Sequence, residues 1–131
     1  MATIFTQIIN RQIPAYIVAE DENFIAFLDI RPLAKGHTLV VPKVEIDYVF
    51  DLEETLLSKM LLFAKHVAKG IQQVVPCLRI GMAIVGLEVP HAHLHLIPLN
   101  SAYDIDFKKK PLAYTEEAFT ALAQAIKSHI S

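Results

Sequence analysis

Residues 89–98 read VPHAHLHLIP, which sets His91, His93 and His95 at alternate positions with Ala92, Leu94 and Leu96 between and after them. Side chains of a β-strand alternate between its faces. A strand over His91–Ile97 therefore turns three imidazoles to one face and three apolar side chains to the other, where they can pack on a core. An exposed polar face that is histidine by coincidence is the plainest alternative. Against it, strand faces normally mix Thr, Lys, Glu and Ser, and this chain holds only six histidines in all.

The flanking sequence supplies the rest of a sheet. Tyr16–Ala19 and Phe24–Leu28 are rich in β-formers, and the polar Glu20-Asp21-Glu22-Asn23 between them reads as a tight turn. After Arg31-Pro32, Gly36 opens a third strand, HTLVVPK, ending near Pro42. Leu78–Val85 reads as the fourth strand and His91–Ile97 as the fifth. Between the third and fourth, Leu56, Leu57, Met60, Leu61, Ala64, Val67, Ala68, Ile71 and Val75 recur at helical spacing, so a long helix is expected from about Leu52 to Val75. Asp51 is its expected N-cap, with Glu54 as in a capping box, and Pro76 ends it. A last helix is expected over Glu116–His129 with Thr115 as N-cap. Residues 4–9, IFTQII, are too few for periodicity to assign. The expected fold class is α+β, a five-stranded mostly antiparallel sheet covered by one long helix, plus a C-terminal helix.

Composition narrows the function. The 131 residues suit one domain, and 53% of them are apolar, enough for a sizeable core. A formal net charge of -2 lacks the broad positive field of a dedicated nucleic-acid binder. No apolar run approaches the roughly 20 residues of a membrane span, and the N-terminus lacks the pattern of a signal peptide. The single Cys77 allows no intramolecular disulfide and reads as a buried, inert thiol. These features point to a cytoplasmic protein with neither nucleic acid nor membrane as partner. Lys108-Lys109-Lys110 reads as a solvated loop, with a phosphate contact as the alternative. His66 reads as a helix-surface residue and His129 as a favourable charge near a helix C-terminus.

Two chemistries suit the histidine row. One is a metal site. The outer two α-carbons of the row would lie roughly 13 Å apart at about 3.3 Å per residue, and zinc–nitrogen bonds are near 2 Å. All three rings cannot close on one ion without strain, so a zinc site would combine His91 or His93 with His95 and His37. The other is nucleophilic and acid–base catalysis. A neutral imidazole carries a lone pair that can attack an electrophile, and neighbouring rings can bind a phosphoryl group passing through in-line displacement.

The sequence resembles the histidine-triad (HIT) family, specifically its nucleoside phosphoramidate hydrolases and their bacterial relatives. The resemblance rests on VPHAHLHLIP together with FTQIINRQIP, EDENFIAFLDIRPLAKGHTLVVPK and the helix that follows, in the family's order. It covers residues 4 to about 99 of a single domain spanning 1–131, with 100–131 as a C-terminal tail and helix. It implies a nucleotide-binding hydrolase or nucleotidyl transferase acting at the α-phosphate of a nucleoside phosphoramidate or related conjugate, without metal or cofactor, as a two-fold homodimer. It further implies His93 as the nucleophile forming a nucleotidyl-histidine. His95 would contact the phosphoryl oxygens or the leaving-group side, His91 would orient His93 partly through its carbonyl, and His37 would support the site. Asp29 with Ile30 would hold the ribose hydroxyls of a purine nucleotide. Phe5, Ile8, Ile13 and Phe27 match the base pocket, although by composition alone these four read as ordinary core.

Two departures bear on substrate choice. Phosphoramidase-type members carry a hydroxyl residue just before the histidines, whereas this chain has Gly86-Leu87-Glu88. Glu88 could donate a proton to a leaving group or stand as a solvent-facing turn carboxylate. The family's Asn-x-Gly loop is also missing. A nucleotide-binding module without turnover and a zinc-binding protein therefore remain as alternatives.

Overall fold

The computed structural model describes residues 2–130. Its elements in chain order are α1 (Ile4–Ile9), β1 (Ile17–Glu20), β2 (Phe24–Leu28), β3 (Thr38–Pro42), α2 (Glu54–Val74), β4 (Arg79–Ala83), β5 (Leu94–Leu99) and α3 (Glu116–Lys127), with short 3-10 turns at Val49–Asp51 and Ala102–Asp104. The five strands form one sheet in the order β1-β2-β3-β5-β4, with every neighbouring pair antiparallel. The fold is α+β as expected.

Alternation along the strands divides the interior in two. Phe24, Ala26 and Leu28 of β2, Val40 of β3, and Leu94 and Leu96 of β5 point to one face, where Met60, Ala64, Val67 and Ile71 of α2 and Phe119, Ala123 and Ile126 of α3 complete the main core. Ile25 and Phe27 of β2 and Leu39 and Val41 of β3 point the other way, into a second cluster roofed by Phe5 and Ile8 of α1. This is why β2 and β3 are buried at every position: each is covered on both faces, so they are apolar throughout except at Thr38, whose hydroxyl donates to the Gly36 carbonyl at 2.8 Å.

Several expected boundaries shift. α1 forms in the stretch that periodicity could not assign, with Thr3 Oγ1 accepting the Thr6 amide at 3.1 Å as its N-cap. α2 begins later than expected. Asp51 closes the preceding 3-10 turn, and Glu53 is the N-cap, accepting the amides of Thr55 and Leu56 at 3.0 and 3.3 Å. β4 is confined to Arg79–Ala83, and Cys77 is half-buried rather than enclosed.

The most consequential shift is in β5, which starts at Leu94 and not at His91. Its ladder with β3 runs from Thr38↔Leu96 to Val40↔Leu94. Upstream, the Ala92 amide donates to the Ile46 carbonyl at 2.7 Å, outside the sheet. Only His95 is a strand residue. The face alternation nevertheless persists, because Ala92 packs with Leu94 and Leu96 in the main core.

The loop between β2 and β3 turns through Gly36, at φ +90°, a conformation rarely open to other residues. The His37 amide bonds the Ala34 carbonyl at 3.1 Å, and the Asp29 amide bonds the His37 carbonyl at 3.0 Å. A Cβ on Gly36 would stand 3.0 Å from Val75 Cγ2. Gly36→Ala is expected to cost about 1–3 kcal/mol through backbone strain and crowding. A denaturant midpoint equal to that of the native protein would show that the loop does not need this turn.

Candidate active site

The β3–β5 pairing sets His37 at the entrance of one strand and His95 within the other. With His91 and His93 they make four buried imidazoles, between 0% and 8% exposed. A buried ring must place its N–H groups and lone pairs against partners, and those partners define its tautomer.

The Leu33 amide donates to His37 Nδ1 at 3.0 Å. That nitrogen is therefore the acceptor, and the neutral ring carries its proton on Nε2. His37 Nε2 lies 2.9 Å from His95 Nδ1, so the proton is donated there, and His95 in turn carries its own proton on Nε2. A backbone amide thus sets the polarity of a two-ring relay, leaving a His95 N–H as the outward donor. Burial holds both rings well below the ordinary imidazole range, and the Asp29 carboxylate, 3.6 Å from His37 Nε2, opposes this only in part.

The other two rings are set by carbonyls, which can only accept. His93 Nδ1 lies 2.8 Å from the His91 carbonyl oxygen, so the neutral His93 ring has Nδ1–H and a lone pair at Nε2. His91 Nε2 donates to the Pro42 carbonyl at 2.9 Å, and its Nδ1 faces Thr3 Oγ1 at 2.9 Å. Burial lowers the His91 pKa, which keeps that ring neutral and lets Nδ1 accept the Thr3 hydroxyl. His91 is thereby pinned between α1 and the end of β3, and its own carbonyl holds His93.

Phe5 packs edge-on against both His91 and His93, at 5.8 and 5.0 Å between ring centroids, and contacts Phe27 at 5.6 Å. Phe5, Ile8 and Phe27 belong to the second cluster, with Ile13 packed at its margin. All four candidate base-pocket residues are therefore in one apolar cluster, which Phe5 joins to the histidines. Asp29 is partly exposed. Its Oδ1 accepts the Arg31 amide at 2.9 Å, leaving Oδ2 as an acceptor toward solvent and His37. Ile30 is 65% exposed and stands at the rim.

One cavity lies against His93 and another against His95, and the centroids of these two rings are 5.1 Å apart. His93 opens into one of about 220 Å³ with Tyr48, Phe50 and Gly86 in its wall. His95 opens into another of about 350 Å³, whose wall includes Asp29, Arg31, His37 and Glu88. Exposed Glu88 is thus at the site, in the turn that follows Gly86. The same wall holds Phe107, whose ring meets His95 edge-on at 4.8 Å, and Lys108, Lys109 and Lys110. The lysines are therefore cavity residues, not merely a solvated loop. Thr3 and Phe107 lie outside every stretch that carries the resemblance, and Leu33, inside one, acts through its backbone amide, which no side-chain pattern marks.

The metal arrangement differs from the one expected. Asp29, His37 and His95 bring ligand atoms within 4.8 Å of one another, while His91 is committed to Thr3 and Pro42. An ion bound there would have to break the His37–His95 hydrogen bond.

An antiparallel sheet with four buried histidines, three of them in the walls of cavities, defines a histidine-centred site. The chain belongs to the HIT family: residues 10–102 match the HIT domain model. It is similar to an uncharacterized HIT-like protein of Borreliella burgdorferi, at 33% identity over 97% of both chains. It is also similar to the adenosine 5′-monophosphoramidase hnt1 of Schizosaccharomyces pombe, at 33% identity over 99% of both. Among solved structures, a hypothetical histidine triad nucleotide-binding protein of Sulfolobus tokodaii superposes with a TM-score of 0.84 at 30% identity, covering 95% of this chain and 89% of that one.

The depressed pKa values of His37 and His95 couple stability to pH. Unfolding frees both rings to titrate near pH 6.5, so below that pH the unfolded chain binds more protons than the native one. Stability is then lost as pH falls, by at most about 1.4 kcal/mol per pH unit per ring. The melting temperature should be level above about pH 7 and decline from about pH 6.5 to 5, more shallowly in His95→Asn. A melting temperature that rises on acidification through that range would contradict neutral buried rings.

Proposed function

We propose that the chain is a nucleotide hydrolase or nucleotidyl transferase that acts at the α-phosphate of a nucleoside phosphoramidate or related conjugate, with His93 as nucleophile. The observation that carries this is the 2.8 Å bond from His93 Nδ1–H to the His91 carbonyl, which directs the lone pair to Nε2. In the first step Nε2 attacks phosphorus as the bond from phosphorus to the leaving group breaks; the electron pair departs with that group, and a leaving nitrogen takes up a proton from solvent, which the water of the second step returns. The His95 Nε2–H, supplied through the His37 relay, is placed to hydrogen-bond the phosphoryl oxygens or the departing atom. Water then cleaves the phosphorus–histidine bond and restores the ring. Asp29 and Ile30 would border the ribose, and Phe5, Ile8, Ile13 and Phe27 an apolar base, purine in our reading. The similarity to an adenosine 5′-monophosphoramidase supports this substrate class.

The test is hydrolysis of adenosine 5′-phosphoramidate without added metal. His93→Ala should reduce turnover by at least about 10³-fold, and acid quench of the native enzyme should trap a nucleotidyl adduct. Equal turnover by both proteins would end the proposal. Exposed Glu88 in the cavity wall favours one second reading, a nucleotide-binding module. That reading predicts monophosphate binding by the native protein with no turnover of any conjugate.

We also propose that the active form is a homodimer. β4 is an edge strand of the sheet, and beside it Met82, Ile84, Leu61 and Leu62 leave 41–59% of their surfaces exposed. A second copy laid along β4 and α2 would cover this apolar strip and pair the open edge. Light scattering should give twice the chain mass, and Met82→Lys should shift it toward monomer. A native monomer at micromolar concentration would refute the dimer.

A further inference from the structure

We propose that Lys108, Lys109 and Lys110 form an anion subsite beside His95 that receives a polyanionic leaving group, such as the phosphate chain of a nucleoside polyphosphate conjugate. This rests on the α-phosphate reading of the site and specifies which conjugates it favours.

The first support is placement. The segment after β5 is fixed across the cavity mouth. Ile105 Cδ1 lies against Gly81, only 3.1 Å from where a Cβ on that glycine would sit. Phe107 packs on the His95 ring. The Leu112 amide donates to the Pro32 carbonyl at 2.8 Å. Between these anchors Asp106 turns the chain, its Oδ1 accepting the Lys108 amide and its carbonyl the Lys109 amide, each at 3.0 Å.

The second support is charge. The protein as a whole carries -2, yet this one cavity gathers four cationic side chains, Arg31 and the three lysines, against two carboxylates, Asp29 and Glu88. Among the described residues the ion pairs between oppositely charged side chains other than histidine are Arg11–Glu20 and Lys43–Glu20, so none engages the three lysines. Lys109 does lie close enough to Asp104 to help lower that carboxyl's pKa. Among the described residues no carboxylate lies within ion-pair distance of Lys108 or Lys110, so their charges are available to a ligand.

The third is the demand of the chemistry. Burial keeps the His37 and His95 rings neutral, and departing ammonia or an amine brings no negative charge. Surplus cations on the His95 side are therefore matched to a leaving group that does. With a polyphosphate conjugate, attack by His93 Nε2 breaks the bond from the α-phosphorus to the bridging oxygen. The electron pair leaves on that oxygen, and the remaining phosphate chain departs as an anion against the lysines. Water then releases the nucleoside monophosphate from His93 and gives a proton to solvent.

The experiment compares kcat/KM for diadenosine tetraphosphate and adenosine 5′-phosphoramidate in the native protein and in a combined Lys108→Gln, Lys109→Gln, Lys110→Gln variant. The ratio of the first to the second should fall about tenfold or more in the variant, and the native ratio should fall with added salt, since exposed charges are screened. An unchanged ratio overturns the subsite. If the native protein hydrolyses neither compound, the α-phosphate reading fails by itself, and calorimetry with tripolyphosphate decides the subsite. A native affinity at least about tenfold above the variant's, lost with salt, supports it. Equal affinities overturn it.

Discussion

Everything at the site depends on the antiparallel pairing of β3 with β5. It joins the N-terminal strands to the C-terminal pair in one sheet, and it is a long-range contact whose loop must be closed before any packing repays it. By opposing Leu39 to His95 it also brings His37, just ahead of β3, within 2.9 Å of the His95 ring. Lengthening or slipping this ladder by one residue would turn His95 into the main core and Leu94 toward the cavity. The apolar residues on both faces of β2 and β3 therefore enforce the register on which the chemistry rests.

The backbone, rather than any charged side chain, assigns the protons. An amide at Leu33 and carbonyls at His91 and Pro42 dictate which nitrogen of each ring is protonated. The buried groups supply one donor and two acceptors whose identities do not change with pH. This differs from orientation by a carboxylate, which would also favour the charged form of its ring. Here burial dominates at His37 and His95. The His95 proton is accordingly offered by a neutral ring, as a hydrogen-bond donor more than as a strong acid.

Sequence periodicity was informative where a side-chain pattern reports burial. The alternation of Ala92, Leu94 and Leu96 with the histidines correctly separated the two faces, and the spacing from Leu56 to Ile71 located α2. It failed where the backbone finds a partner outside the pattern. The ladder is lost upstream of Leu94 because Ala92 bonds to Ile46 and the His91 ring takes the Pro42 carbonyl. The N-cap moved from Asp51 to Glu53 because a 3-10 turn uses Asp51. Among site residues, the four histidines and Asp29 were visible through the family motif. Thr3 and Phe107 were not, since their contacts span tens of residues and leave no local periodicity; for the lysine loop the sequence left a solvated loop and a phosphate contact side by side.

The apolar cluster beneath α1 shows why core and pocket readings of Phe5, Ile8 and Phe27 need not compete. These side chains are nearly fully buried, and Phe5 among them packs directly on the His91 and His93 rings. Their contacts exclude water from one side of His93 and limit the ring's rotation, while its Nδ1–H is held by the His91 carbonyl. A ring clamped on two sides would lose little further freedom on engaging a ligand through Nε2, so most of that ordering cost is met during folding. The same argument explains the position of Thr3 and α1 ahead of the sheet. They hold His91, and through its carbonyl they hold the His93 ring.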